Sequence, residues 1–332
     1  MLYLKEIIKI FLIVVFFAGC AKIGYIFNQG LGQLKLINGG VENSIVLSDV
    51  RISKKYKSQI KEIEKFKRYF YHYFEKNPTS IYSKTNFLDR EAVTYLVTAS
   101  PHNDIKAKKE CFPFIGCFPY LGFFSYESAK KHAQSLDNEG WVTWIRPVYA
   151  YSTLGYFSDN ILSSFFVYDS FGLSELIFHE LFHTIFFIKD EVELNENLAN
   201  YFGKEMAIEY AKANGINYEK EIKERKNRES LNKHMVKLTN KLKNLYNKKK
   251  KAKVNKREAK NILVKYLQEV FRPSITEVCN KLGLIGKKCY PLNIDWNNAR
   301  FVGMLTYEDR VGEVIKLRAQ MNLKSFQKFI LD

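Results

Sequence analysis

Histidine is scarce in this chain, with six in 332 residues. No Cys-x-x-C pair occurs among the five cysteines, which excludes the common structural zinc sites built on such pairs. The one long apolar run, Ile10 to Ala18, is too short to span a bilayer comfortably as a helix. No short-period repeat is present, so a solenoid is excluded. Acids are few, 35 against 52 Lys and Arg, for a net charge of +17. Such a balance suggests nucleic acid, but its distribution does not. The stretch Glu219 to Lys260 holds 17 Lys/Arg and 5 Asp/Glu, so +12 of the +17 sits in one segment. Within Lys237–Lys256 the only aromatic is Tyr246, so the stacking residues of a single-strand binder are missing, and no nucleic-acid partner is expected. Hydrophobic residues (46%) and aromatics (15%) are plentiful enough for a folded globule.

The amino terminus reads as a targeting segment. Lys5 and Lys9 precede the apolar run, and Ala18-Gly19-Cys20 follows it. A charged start, a short apolar stretch and small residues describe a secretory signal. Ala-Gly-Cys resembles a bacterial lipobox, in which the cysteine is acylated and begins the mature protein; Phe17 stands where Leu is usual. The expected division is a signal peptide at 1–19 and one domain at 20–332. The plainer reading is a signal anchor with a chance cysteine. Acylation of Cys20 leaves Cys111, Cys117, Cys279 and Cys289, an even number in an oxidising compartment. Cys111–Cys117 and Cys279–Cys289 are the simplest pairing, with reduced buried thiols as the alternative.

Helical spacing dominates the rest. Gly30 to Lys76 reads as mostly helical, interrupted at Gly39-Gly40. Ala92 to Val97 and Trp141 to Ile145 read as strands, and Ser163 to Tyr168 as a further one. Tyr126 to Asn138 reads as a helix. Leu173, Leu176, Ile177, Leu181, Ile185 and Ile188 mark the strongest helix, with Asp169 or Ser174 as its cap. Another helix is expected from about Asn195 to Ala213, ended by Gly215. Leu231, Met235, Leu238, Leu242 and Leu245 form a narrow seam on a Lys-rich helix. The segment at about 219–271 is expected to be a helical hairpin with a solvated tip at Lys248 to Lys253. Its cations are either a plain solvent face or a contact for anionic lipid headgroups.

Two of the six histidines carry the chemistry. In His179-Glu180-Leu181-Phe182-His183 the imidazoles stand four residues apart, so a helix points them the same way. They can share one Zn2+, with Glu180 beside them as general base. Such a pattern arises by chance in roughly one chain in a hundred or fewer; two histidines packed neutrally in a core would be the bland explanation. A third ligand is needed. Asn195-Glu196-Asn197-Leu198-Ala199 resembles the Asn-Glu-x-x-Ala by which gluzincin metallopeptidases supply it, which puts Glu196 in that role. Asp190, Glu191 and Glu193 are rival ligands.

The chain as a whole resembles the predicted aminopeptidase lipoproteins of Gram-negative bacteria, a zincin group. The likeness rests on Ala18-Gly19-Cys20, Cys111 to Cys117, Ala150 to Phe157, Ile177 to His183, Asn195 to Ala199 and Asn297 to Arg300. Leu121 stands where the group tends to have Arg, and Phe182 replaces a small residue inside the zinc motif. The resemblance implies a helix-dominated α+β fold, a zincin-like metallopeptidase domain with a small β-sheet and a long basic hairpin. It implies a peptide substrate, aminopeptidase action, and a periplasmic place on the envelope, Ala21 being compatible with the outer membrane. Tyr149, Tyr151 and Tyr307 are candidates to stabilise an oxyanion; Tyr151-Ser152-Thr153 could instead pair with an extended peptide or be a simple turn. The rival class is a non-catalytic envelope lipoprotein whose metal site is structural or vestigial.

Overall fold

The computed structural model describes residues 24–112, 116–150, 159–186, 192–249 and 254–306. Helix α1 covers 24–38 and stops where the sequence places Gly39-Gly40. Asn86 and Asn160 cause the stop. Their Nδ2 groups donate to Leu36 O at 2.9 and 2.7 Å, and Asn160 also to Ile37 O at 3.0 Å. These amides satisfy carbonyls the helix can no longer pair. A Cβ on either glycine would lie 2.6 Å from one of those amides. Strand β1 (Val41–Glu42) and helices α2 (Asn43–Ser48) and α3 (Lys54–Tyr73) follow. Ser53 caps α3, accepting from Tyr56 N at 3.2 Å. Ile60, Ile63, Phe66 and Phe70 give α3 one buried face.

The strands are short. β2 (Lys84–Asn86) lies between β1 and β8 (Ile161–Leu162), antiparallel to the first and parallel to the second. β3 (Thr94–Ser100) is the centre of an antiparallel sheet with β6 (Leu121–Phe123) and β7 (Val142–Val148). β4 (Glu110–Phe112) and β5 (Gly116–Phe118) form a hairpin that sets Cys111 opposite Cys117, and the two are disulfide-bonded. Helix α4 (Tyr126–Asn138) packs Ala129, Ala133 and Leu136 on the β3 sheet. The expected strand at Ser163 to Tyr168 is instead a 3-10 turn over Ser163–Val167. Phe165 and Phe166 are both buried, and neighbours on a strand face opposite ways. The tighter turn puts both rings in the core.

Helices dominate the second half: α5 (Ser170–Phe182), α6 (Val192–Ala213), α7 (Glu219–Lys249), α8 (Lys256–Tyr266), α9 (Arg272–Lys281) and α10 (Asn298–Thr306). The seam residues Leu231, Met235, Leu238 and Leu242 are buried, as the spacing requires. The second arm does not end at Phe271. A π stretch, Leu267–Phe271, joins α8 to α9 just before Pro273, where the missing N–H interrupts the helical ladder. Cys279 is bonded to Cys289 beyond it. The expected tip lies partly outside the described residues. No helix among the described residues is long and apolar enough to cross a membrane.

The result is a helix-dominated α+β fold with small sheets. One core joins α3, α5 and α6, a second joins α7 to α10, and a third lies between α4 and the β3 sheet. Asn298 ties the second core to the third. Its Nδ2 donates to the carbonyls of Pro101 and His102 at 2.8 Å and of Asp104 at 3.1 Å. Asn297 Nδ2 donates to Thr143 O at 3.0 Å, and Arg300 lies over the Trp144 ring. The Asn297 to Arg300 motif therefore holds α10 against the sheet.

Candidate metal centre

Helix α5 begins at Asp169, whose carboxylate accepts from Gly172 N at 2.7 Å. Most of its surface is apolar and buried, with Ser170, Ser174, Glu175, His179 and Glu180 as its polar residues. Phe171, Leu173, Ile177, Phe178, Leu181 and Phe182 are all sunk in the first core. Gln59 on α3 holds the approach to it, donating to Tyr168 O at 2.9 Å. Phe182 stacks on Phe202 of α6, with ring centroids 4.4 Å apart and planes 12° from parallel. Phe182 thus joins the two helices that carry the site.

The helical spacing does what the sequence predicts. His179 and His183 turn their Nε2 atoms to each other at 3.2 Å, the rings nearly perpendicular. Glu196, in the first turns of α6, closes the triangle. Its Oε2 lies 3.6 Å from His179 Nε2 and its Oε1 3.4 Å from His183 Nε2. Nitrogen and oxygen donors about 2.0–2.1 Å from one tetrahedral Zn2+ stand about 3.3 Å apart, so the three fit a common ion. Among the described residues this is the one His/Cys/Asp/Glu group of that kind. Glu196 is 41% exposed on its side chain and His183 only 2%, which leaves the triangle open on the glutamate side. Side chains of the rival ligands Asp190, Glu191 and Glu193 lie outside the described residues, as do Cys20, Tyr151 and Tyr307. Tyr149 is half-buried, its phenol near enough to Tyr168 to act on it beside Glu180, and its carbonyl accepts from Ser164 Oγ.

The charges are mutually adjusted. Burial and the neighbouring His183 push His179 down from 6.5 to about 4, against the pull of Glu196 and of a hydrogen bond that the ring donates to Asn200. Burial also lowers His183, but the hydrogen bond and charge of Glu196, with the charge of Glu180, outweigh it and leave it raised. Glu196 is raised by burial and lowered further by its bond to His183 and by both imidazoles, so its net shift is down. A neutral imidazole and a carboxylate are the forms that bind a cation. His183 Nδ1 is buried with no partner among the described residues, so Nε2 is the nitrogen that this ring puts to use.

Three residues at the site carry no signal in the sequence. Asn200, one turn beyond Glu196, orients His179. Gly203, a further turn on, lets α6 approach: a Cβ there would lie 2.7 Å from Glu175 O and 3.1 Å from His179 Cβ. Tyr82 is fully buried in left-handed backbone, φ 59°, with a hydroxyl that has no partner among the described residues. Burial first, then the charges of Glu180 and Asp159, hold it well above its ordinary range. Glu180 itself is 7% exposed. Behind the site, Arg225 of α7 pairs with Glu175 of α5 and with Glu229 at 3.3 Å, and Lys204 of α6 reaches Glu229 at 2.7 Å.

No curated protein and no solved structure matches the chain. Residues 24–331 match the family described as "Putative aminopeptidase", and on that span the chain belongs to this family.

Proposed function

We propose that the protein is a zinc-dependent peptidase of the gluzincin type, an aminopeptidase by its family, tethered to the bacterial envelope by an acylated Cys20. The observation that carries the reading is the triangle of His179, His183 and Glu196 with the buried Glu180 adjoining it on the same helix. The three ligands would hold Zn2+, which when bound acidifies water to about pKa 7 and polarises a carbonyl. The remaining steps belong to the chain. Glu180 takes a proton from the attacking water and passes it to the leaving amine. Asn200 fixes the ring of His179, and the apolar packing of α5 keeps bulk water from behind the site. One peptidase domain runs from Cys20 to the end, on the periplasmic side of the outer membrane.

The rival reading, a structural or vestigial metal site, gives no use to Glu180. In the Glu180→Gln variant zinc stoichiometry stays at one while hydrolysis of a peptide library falls by about two to four orders of magnitude. Wild-type turnover in that variant, zinc still bound, removes the mechanism.

A further inference from the structure

The α7–α8 hairpin ends in cations without counter-charge. Lys241, Lys248, Lys249, Lys256, Arg257 and Lys260 are all exposed. None of them has an acidic partner among the described residues. Glu258, the one acid in 241–249 and 254–260, is held by the helix cap, accepting from Asn255 N at 3.1 Å. Elsewhere on this unit cations do find acids, as Lys288 does Glu224 at 3.0 Å and Lys281 does Glu277 at 2.6 Å. Like charges gathered in this way repel one another, and an anionic surface relieves that repulsion.

The position of the tip names the surface. Val254, Asn255 and Lys256 share a cleft with Pro101, His102 and Gly140, at the end of the β3 sheet where Ser100 pairs with Val142. Lys108 N bonds Ala99 O at that same end and leads into the β4–β5 hairpin. Helix α1 lies along the β6 edge of the same sheet and begins level with the Leu96–Gly122 pair. Tyr25 stacks on Phe112 of that hairpin at 5.5 Å and donates to Gly122 O at 2.9 Å, whereas Gly32 lies further along, against Phe124. Helix α1 therefore runs away from the tip's end of the sheet. Ile26, Phe27, Leu31 and Leu34 of α1 are 43–64% exposed, an apolar stripe of the kind that settles at a bilayer surface.

We infer that this end of the molecule is a docking surface for anionic phospholipid, with Lys248, Lys249, Lys256 and Arg257 on the headgroups. The choice of partner rests on the Cys20 tether of the proposed function. The tether holds the chain at the bilayer, and the tip fixes which side faces it.

The test uses the full chain carrying Cys20→Ser and unilamellar phosphatidylcholine vesicles with or without about 30 mol% phosphatidylglycerol. The ratio of the two partition constants isolates headgroup charge, whatever the amino terminus contributes. For the otherwise unaltered chain it is about tenfold or more at about 0.05 M salt and near one at about 0.5 M. K248E/K249E/K256E/R257E brings it near one at low salt. K54E/K55E/K61E/K65E, the same charge change on exposed lysines of α3, leaves it high. A ratio near one before any charge reversal, or equal losses in both quadruple variants, overturns the inference. So does salt-sensitive binding to duplex DNA with no preference for phosphatidylglycerol. Mass analysis of the native chain decides acylation of Cys20 separately, so the two readings fail independently.

Discussion

Replacing Gly203 with Ala adds one methyl group at the closest approach of α6 to α5. The built Cβ falls 2.7 Å from Glu175 O, where an ordinary contact is 3.4 Å or more, so α6 must retreat by about 0.7 Å. Of the three close neighbours, Glu175 O and His179 N are backbone and His179 Cβ is fixed to it, so none can rotate aside. Two effects compete. Alanine is the better helix former by about 1 kcal/mol, and overpacking costs about 1–3 kcal/mol. The net change is a loss of up to about 2 kcal/mol. The metal site is more sensitive than the fold. Glu196 lies two turns before Gly203 on the same helix face, and ligand distances tolerate about 0.2 Å. Zinc affinity, read by competition with a chromophoric chelator, falls about 10- to 100-fold while the chain stays folded. Ala207→Gly, a helix-weakening change one turn further on, lowers the melting temperature and leaves zinc affinity within about threefold. If Gly203→Ala raises the melting temperature and binds zinc like the parent, the close approach does not set the site and the reasoning is refuted.

Four further outcomes are expected. Glu196→Gln keeps the fold by circular dichroism and loses zinc by at least about tenfold, since a neutral amide replaces the anionic donor; unchanged affinity would point to an acid at 190, 191 or 193. In the metal-free chain His179 contributes stability that is present above its ordinary 6.5 and lost as pH falls towards about 4. His183, raised, contributes in the opposite sense, below 6.5. The melting temperature of wild type relative to His179→Gln therefore climbs from pH 4 to 6.5, and a falling difference refutes the assignment. Cys279→Ala/Cys289→Ala opens a ten-residue loop and costs about 3 kcal/mol in urea unfolding, with zinc stoichiometry intact. Asn298→Ala strips a buried donor from three carbonyls and costs about 2–3 kcal/mol, which thermal unfolding reads directly.

Much of the site is legible from spacing alone, because a helix converts a four-residue interval into shared direction. His179 and His183 needed only that rule, and the seam at Leu231 to Leu242 only its three-and-four step. Glu196 needed the resemblance, since the turn between helices has no fixed geometry in the sequence. Ser163–Val167 misled because an apolar pair reads alike in a strand and in a buried turn. Gly203 and Tyr82 were invisible for a different reason. A glycine's use lies in what would touch the missing Cβ, and a buried phenol's in which carboxylate it faces, and both are facts of tertiary contact. The Asn297 to Arg300 motif was visible as a likeness, yet its work of bonding β7 and the carbonyls after β3 lay 154 to 197 residues away.

Helix α5 shows water little of its surface, and this bears on how a population of molecules becomes competent. A helix with a polar flank can form early and wait for its neighbours. One that is apolar over most of its surface has little to hold it alone, so its shape and its two inward imidazoles are secured as α3 and α6 shut around it. Readiness for the cation then rises and falls with the native fraction, one molecule at a time, and a half-assembled chain has no grip on metal to offer.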